Sequence, residues 1–309
     1  MPRTARCPAM VGDSPPMEAL RRRLARLGPL QAPVLVTGET GVGKELAARA
    51  LHGQSARHGR RFVAINCAAL TPQLAPSELF GAVQGAYTGA RTREGLFQAA
   101  DGGTLFLDEV GELDPQTQGA LLRVLETGRV RKVGATAGEP VDVRLVTATH
   151  RDLKAQVIQG AFRADLYHRI AALLVEVPPL RARLADLPEL AGAVAPEAAH
   201  RLTEGAWARL SAHRWPGNVR ELRNVLQRAA AEHDDGPLTA ASLIFDALSG
   251  QAASAETGEG PLQARIARLV QTEFKRQAGN VRQTARVLAV SPTTVYRYLQ
   301  LAADGPSPD

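Results

Sequence analysis

The sequence predicts an α/β fold, a parallel sheet covered by helices on both faces, followed by two all-helical units. Three observations predict it. Short apolar runs alternate with helix-like stretches as far as Val177. Strand-like runs stop after Pro178-Pro179. A segment of linker composition, Ser249 to Pro261, then sets off a last helical block, Leu262 to Leu301. A chain of 309 residues has room for two or three domains and for a sizeable core.

The first strand candidate is Pro33-Val-Leu-Val-Thr37, an apolar run that enters a glycine-rich turn. Lys44 to Leu51 reads as the helix leaving that turn. Phe62 to Asn66, Thr104 to Leu107, Val143 to Thr147 and Leu173 to Val177 are the further strands. Between them, Asp114 is an N-cap and Pro115 fits a first helical turn. Leu121, Leu122 and Leu125 share one face, and Gly128 stops the helix. From about Leu180 to Leu248 the chain reads as helical, interrupted at Pro216-Gly217. The expected divisions are a tail over 1–10, an α/β core over 11–178, a helical subdomain over 179–248, a linker over 249–261 and a helical domain over 262–304.

Composition narrows the class. Apolar residues make up 45% of the chain, as in an ordinary globular protein. The two cysteines, Cys7 and Cys67, exclude a disulfide framework and suit a reducing compartment. Cys67 reads as a small buried apolar group. No apolar stretch follows the N-terminal Met-Pro-Arg-Thr-Ala-Arg, and no run approaches the ~20 residues of a membrane span. The expectation is a cytoplasmic protein with no membrane partner. A formal net charge of +6 favours polyanionic partners.

Gly38-Glu39-Thr40-Gly41-Val42-Gly43-Lys44 fits most of the Walker A pattern and sits between a strand and a helix, as that motif requires. Glycines let backbone N–H groups point at phosphate oxygens, and Lys44 can reach the outer phosphates. Glu45 stands where the general pattern has a magnesium-binding Ser or Thr. Thr104-Leu-Phe-Leu-Asp108-Glu109 is an apolar strand ending in two acids, a Walker B pattern. The two motifs imply ATP with Mg2+: Asp108 as the metal carboxylate, Glu109 as the base that polarises the attacking water. Asn66 and Thr149 end strands, so they either face the γ-phosphate or Glu109, or merely terminate those strands. Arg163, Arg169 and Arg220 are candidates for stabilising the transferred phosphoryl group.

Between the Walker motifs lies Glu78-Leu-Phe-Gly-Ala-Val-Gln-Gly85-Ala86-Tyr87-Thr88-Gly89-Ala90. Its last six residues resemble the Gly-Ala-Phe-Thr-Gly-Ala loop of AAA+ activators of sigma-54 RNA polymerase, the bacterial enhancer-binding proteins. Asn66-Cys-Ala-Ala69, Gly102 to Glu109, Phe162-Arg163, Trp215-Pro-Gly-Asn-Val-Arg-Glu-Leu222 and the acid after Lys44 resemble that family in the same order. The resemblance runs from about Val11 to Ser249. It implies a AAA+ P-loop core with a helical lid, working as a ring, usually a hexamer, with ATP between subunits. Asn66 would then restrain Glu109 until the γ-phosphate is sensed, and Thr149 would be sensor I. Arg163 and Arg169 would be fingers reaching the neighbouring site, and Arg220 sensor II. Gly85 to Ala90 would press on sigma-54. Ala82-Val83 replaces the family's frequent His-Glu, and His150 its frequent Asn. Those departures imply that ATP turnover survives while its coupling to the loop is altered.

In the last block, Leu262, Ile266, Leu269, Val270 and Phe274 recur at helical spacing, and Gly279-Asn280 breaks the chain. Val281 to Leu288 and Pro292 to Gln300 form helices, with Ser291 as N-cap of the second. This is a helix-turn-helix pattern, similar to the Fis-like domain of many such activators, with Ala289 where the family often has Gly. Residues 262–301 carry seven basic side chains against Glu273, a charge equal to that of the whole chain. Arg282, Thr293, Thr294, Tyr296 and Arg297 are the candidate DNA contacts, Arg297 foremost as a guanine reader. Two other readings stay open, a AAA+ regulator acting without sigma-54 and a remodeller of another protein whose C-terminal helices serve assembly. The Gly85–Ala90 loop favours the sigma-54-dependent activator over both. With about ten residues before the core, the expectation is no receiver or sensing domain in this chain, and activity that is either constitutive or controlled by a separate regulatory protein.

Overall fold

The computed structural model describes residues 10–86, 92–233, 236–245 and, apart from 272, 275, 278 and 289, residues 270–303. The chain divides into two compact units, one within residues 1–245 and one within 246–309.

The first unit opens with α1, Pro15–Leu27, which buries Met17, Leu20, Leu24 and Leu27 along one stripe. Then come β1 (Val34–Thr37), α2 (Lys44–Gly53), β2 (Phe62–Asn66), α3 (Ala75–Phe80), α4 (Leu96–Ala99), β3 (Thr104–Asp108) and α5 (Pro115–Thr127). A two-stranded pair, β4 (Arg129–Val130) and β5 (Glu139–Pro140), precedes β6 (Arg144–Thr149), α6 (Leu153–Ile158), α7 (Ala164–Ile170) and β7 (Leu173–Glu176). The five long strands form one sheet in the order β2-β3-β6-β1-β7, all parallel. The pleat sends alternate residues to opposite faces, and each face is packed. Leu35, Leu105, Leu107 and Leu145 join Phe97, Leu121 and Leu166 on one side. Val34, Val36, Phe106, Val146 and Ala148 join Met17, Leu24 and Leu51 on the other. The strand candidate Val143 to Thr147 begins at Arg144 and runs on to Thr149, the residue expected to end it, where Thr149 pairs with Thr37 of β1.

The local signals for α5 act as expected. The Asp114 side chain accepts from the N–H of Gln116 and Thr117, and Gly128 closes the helix at φ +64°. After β7 the chain forms α8 (Leu187–Val194), α9 (Pro196–Ala199), α10 (Glu204–Ala212) and α11 (Asn218–Glu232). These close around Trp215, Leu222, Leu226 and Leu238, all fully buried. The fold is thus a AAA+ P-loop α/β core with a helical lid.

The second unit contains α12 (Val281–Val287) and α13 (Pro292–Ala303). Asn280 and Ser291 cap them through bonds to Gln283 N and Thr294 N. Val270, Ala285 and Val295 are buried in one cluster, with Leu288 and Leu299 packed against it. No described helix is long and apolar enough to cross a membrane.

Candidate active site

The turn from Gly38 to Lys44 joins the carboxyl end of β1 to the start of α2. Gly43 caps α2 at φ +103°, and a Cβ on Gly41 (φ +78°) would lie 2.3 Å from Gly217 O. Only glycine fits either position. Lys44 is buried to 7% exposure. Its Nζ lies 3.1 Å from Gly38 O and 3.3 Å from Glu109 Oε1. A cavity of about 1040 Å³ opens beside the loop, lined by Thr37, Gly38, Glu39, Thr149, His150 and residues of α1.

Asp108 ends β3 and Glu109 follows in left-handed backbone, φ +53°. A non-glycine residue there is held by its surroundings. Oε1 of Glu109 faces Lys44. Oε2 accepts from His150 N at 3.2 Å and lies 2.7 Å from His150 Nδ1. Burial works to raise the Glu109 pKa, but the bonds from His150 and the charge of Lys44 outweigh it and hold the carboxyl below its usual range. Asp108 is pushed upward, by burial first and then by the Glu109 charge, against the pull of Lys44. Cys67, buried behind this pair, is pushed up to about 12 by burial and the two carboxylates.

The other candidate residues are placed less uniformly. Asn66 stands opposite Asp108 in the β2–β3 register, but its Oδ1 accepts from Ala68 N at 2.9 Å. His150, not Asn66, is hydrogen-bonded to Glu109. Thr149 is buried, and its Oγ1 accepts from Arg151 N. Glu45 is exposed and paired with Arg49 at 2.6 Å. Arg163 is paired with Asp165, and Arg169 donates to Leu125 O; both are exposed. Arg220, near the start of α11, is exposed, and its Cβ would be 3.0 Å from a Cβ on Gly41. Gly85, at φ +82°, and Ala86 end the described stem of the next loop, whereas Tyr87, Thr88, Gly89 and Ala90 lie outside the described residues. Main-chain bonds of Ala82 to Arg93 and of Val83 to Val133 tie that stem down. On α12 and α13, Arg282 and Tyr296 are exposed and Thr294 is half-buried; Thr293 and Arg297 lie on α13.

Sequence reasoning missed a cluster above the loop. Arg181 makes a bidentate ion pair with Glu39, at 2.5 and 2.7 Å, and the buried Asn218 donates to Glu39 Oε2 at 3.1 Å. Asn218 was in view only as part of the motif that carries Arg220. Nothing local in the sequence marked its partners.

Residues 10–176 match the family model described as the Sigma-54 interaction domain, and residues 181–260 match the AAA+ ATPase lid domain. The chain is 48% identical over 237 residues to the Nif-specific regulatory protein of Azotobacter vinelandii, covering 74% of this chain and 45% of that protein. It is 42% identical over 297 residues to the transcriptional regulatory protein ZraR of Klebsiella oxytoca, covering 93% of this chain and 67% of that one. Among solved structures, NtrX from Brucella abortus in complex with ATP aligns with a TM-score of 0.71 at 34% identity, over 96% of this chain and 69% of that chain.

Proposed function

This chain belongs to the sigma-54 interaction domain family and is a AAA+ ATPase, and on that premise we propose that it couples ATP hydrolysis in a ring, a hexamer in the simplest reading, to opening of sigma-54 RNA polymerase promoter complexes. The convergence of Lys44 and Glu109 at the carboxyl ends of β1 and β3, 3.3 Å apart, carries this reading.

The chain's own groups supply the steps. The inward N–H groups of Gly38 to Glu45 hold the phosphates with the positive end of α2. Lys44 moves from Glu109 to the outer phosphates, which frees Oε1. Glu109, kept ionised, then accepts the proton of the attacking water. Asp108 would hold Mg2+, which supplies charge neutralisation at the phosphates. Among the described residues no group of three or more His, Cys, Asp or Glu forms a metal cage. That suits an ion arriving with the triphosphate and keeping several waters. The raised Asp108 carboxyl, crowded by Glu109, fits a site that gains from a cation. Arg163 and Arg169, both exposed, reach a neighbouring subunit's nucleotide, and Arg220 touches the nucleotide from the lid. Asn66 and Thr149 relay the state of the γ-phosphate.

The segment Gly85 to Ala90 meets sigma-54, with Tyr87 as aromatic anchor and Thr88 as polar contact. Ala82 and Val83 carry no charge at these two positions, so nucleotide state reaches the loop through main-chain bonds to Arg93 and Val133. The helices α12 and α13 form a helix-turn-helix that binds upstream duplex DNA through Arg282, Thr293, Thr294, Tyr296 and Arg297. The decisive experiment measures ATPase activity and open-complex formation side by side on a sigma-54 promoter. The reading expects open complexes that require hydrolysable ATP. ATP turnover with no open complexes under any nucleotide condition would overturn it.

A further inference from the structure

A phosphate-binding loop turns its N–H groups inward, so the carbonyls of the same residues face outward and need other donors. In this chain three consecutive carbonyls of the loop find those donors in the region after Pro179. Asn218 Nδ2 donates to Thr40 O at 3.0 Å. Val219 N donates to Gly41 O at 3.1 Å. Arg183 Nη2 donates to Val42 O at 3.0 Å. Asn218 is fully buried and Arg183 nearly so. The amide oxygen of Asn218 is committed as well, accepting from Leu180 N at 2.7 Å. Arg181 and Asn218 together hold the Glu39 carboxylate from the same side. Asn218 takes left-handed backbone, φ +52°, a conformation that Asn tolerates better than most residues.

We propose that Asn218, with Arg181 and Arg183, is a positioning residue that sets the shape of the phosphate loop from the lid and so couples lid orientation to nucleotide affinity. The inference rests on the loop being the ATP site. Withdrawing the first turn of α11 leaves Thr40 O and Gly41 O without these partners, and the inward N–H array loses its outer support. By reciprocity, a triphosphate held by that array holds the lid in place. Glu39 and Arg181, being partly exposed, form the adjustable half of the latch, and Asn218 the buried half.

The test is titration of the full chain with a fluorescent ATP analogue plus MgCl2, beside steady-state ATPase, for the wild type and for N218G, R181A, E39Q and R181A/E39Q. Glycine at 218 keeps the backbone conformation and the Val219 N–H bond while deleting the side-chain contacts. The expected result is a rise in Kd and KM of about tenfold in N218G and a few-fold in R181A, with kcat within about twofold. R181A/E39Q binds no more weakly than the weaker single variant, because both changes break one contact. Wild-type Kd in N218G and R181A overturns the proposal. So does a lowered Tm with unchanged Kd, the signature of a merely structural residue. If N218G does not fold, R181A and E39Q, at partly exposed positions, decide the matter. K44A separates the two levels. A wild type that fails to bind the analogue refutes the ATP site, whereas binding lost only in K44A refutes the coupling alone.

Discussion

At the scale of single residues, Glu109 is held on both oxygens. Lys44 takes one and His150 the other, over a strained backbone. Replacing Glu109 by Gln should leave nucleotide binding intact and lower kcat by about 10²–10⁴-fold, measured as phosphate release at saturating ATP. Replacing His150 by Ala removes the imidazole contact that lowers the Glu109 pKa and keeps the main-chain N–H bond. The sign follows directly. A base with a depressed pKa keeps turnover at lower pH, so the acid limb of the kcat profile should move to higher pH in His150→Ala. An unmoved limb would show that His150 does not govern Glu109. Cys67, pushed up to about 12, is protonated at neutral pH. It should stay unalkylated by iodoacetamide at pH 8 in the folded chain and react once the chain is unfolded, as read by peptide mass spectrometry.

At the scale of elements, α5 shows how far local rules reach. Its cap, its first-turn proline, its apolar stripe and its closing glycine are all contiguous, and each acts as the sequence implied. Replacing Asp114 by Ala should cost about 1 kcal/mol through two unsatisfied N–H groups. Replacing Leu121, fully buried, by Ala should cost about 2–5 kcal/mol. Urea unfolding of the two variants should rank them in that order. In the pair α12 and α13 the Ser291 cap was legible for the same reason, whereas Asn280, read only as a break, caps α12, and Ala285 and Val295 are buried in the same cluster. Arg297→Ala on α13 should weaken binding to a cognate DNA site by about 1–3 kcal/mol and relax sequence preference there. Equal affinity and preference would remove Arg297 from the contact set. The element that sequence reading passed over is α1, whose stripe of Met17, Leu20, Leu24 and Leu27 is plain in retrospect. The β4–β5 pair carries only two residues per strand, too few for any periodic signal.

At the scale of the whole molecule, the proposed ring makes a prediction that no single chain can satisfy. If Arg169 acts on the neighbour's nucleotide, Arg169→Ala should lower turnover by about 10³–10⁵-fold. Mixing it with Glu109→Gln chains should recover activity, since some interfaces then pair an intact base with an intact arginine. Mixtures no more active than their components would place Arg169 outside the site. The exposure of Arg169, with only Leu125 O as its hydrogen-bond partner among the described residues, leaves its guanidinium available for such a contact.

The sequence by itself determined the five strands of the main sheet, the phosphate loop, the acidic pair Asp108 and Glu109 and the caps of α5 and α13. Each depends on residues adjacent in the chain or repeated at a fixed period, and backbone geometry turns such patterns directly into structure. It also carried the family, through motifs kept in order. Only the tertiary structure decided which groups meet at the site. Glu39 and Arg181 lie 142 positions apart, and Glu109 and His150 lie 41 apart. The strand order β2-β3-β6-β1-β7 sets β6 beside β3 and so brings His150 to Glu109, and the packing of the lid brings Asn218 onto Thr40. A hydrogen bond is sensitive to tenths of an ångström, and no rule of spacing along the chain specifies a distance across it.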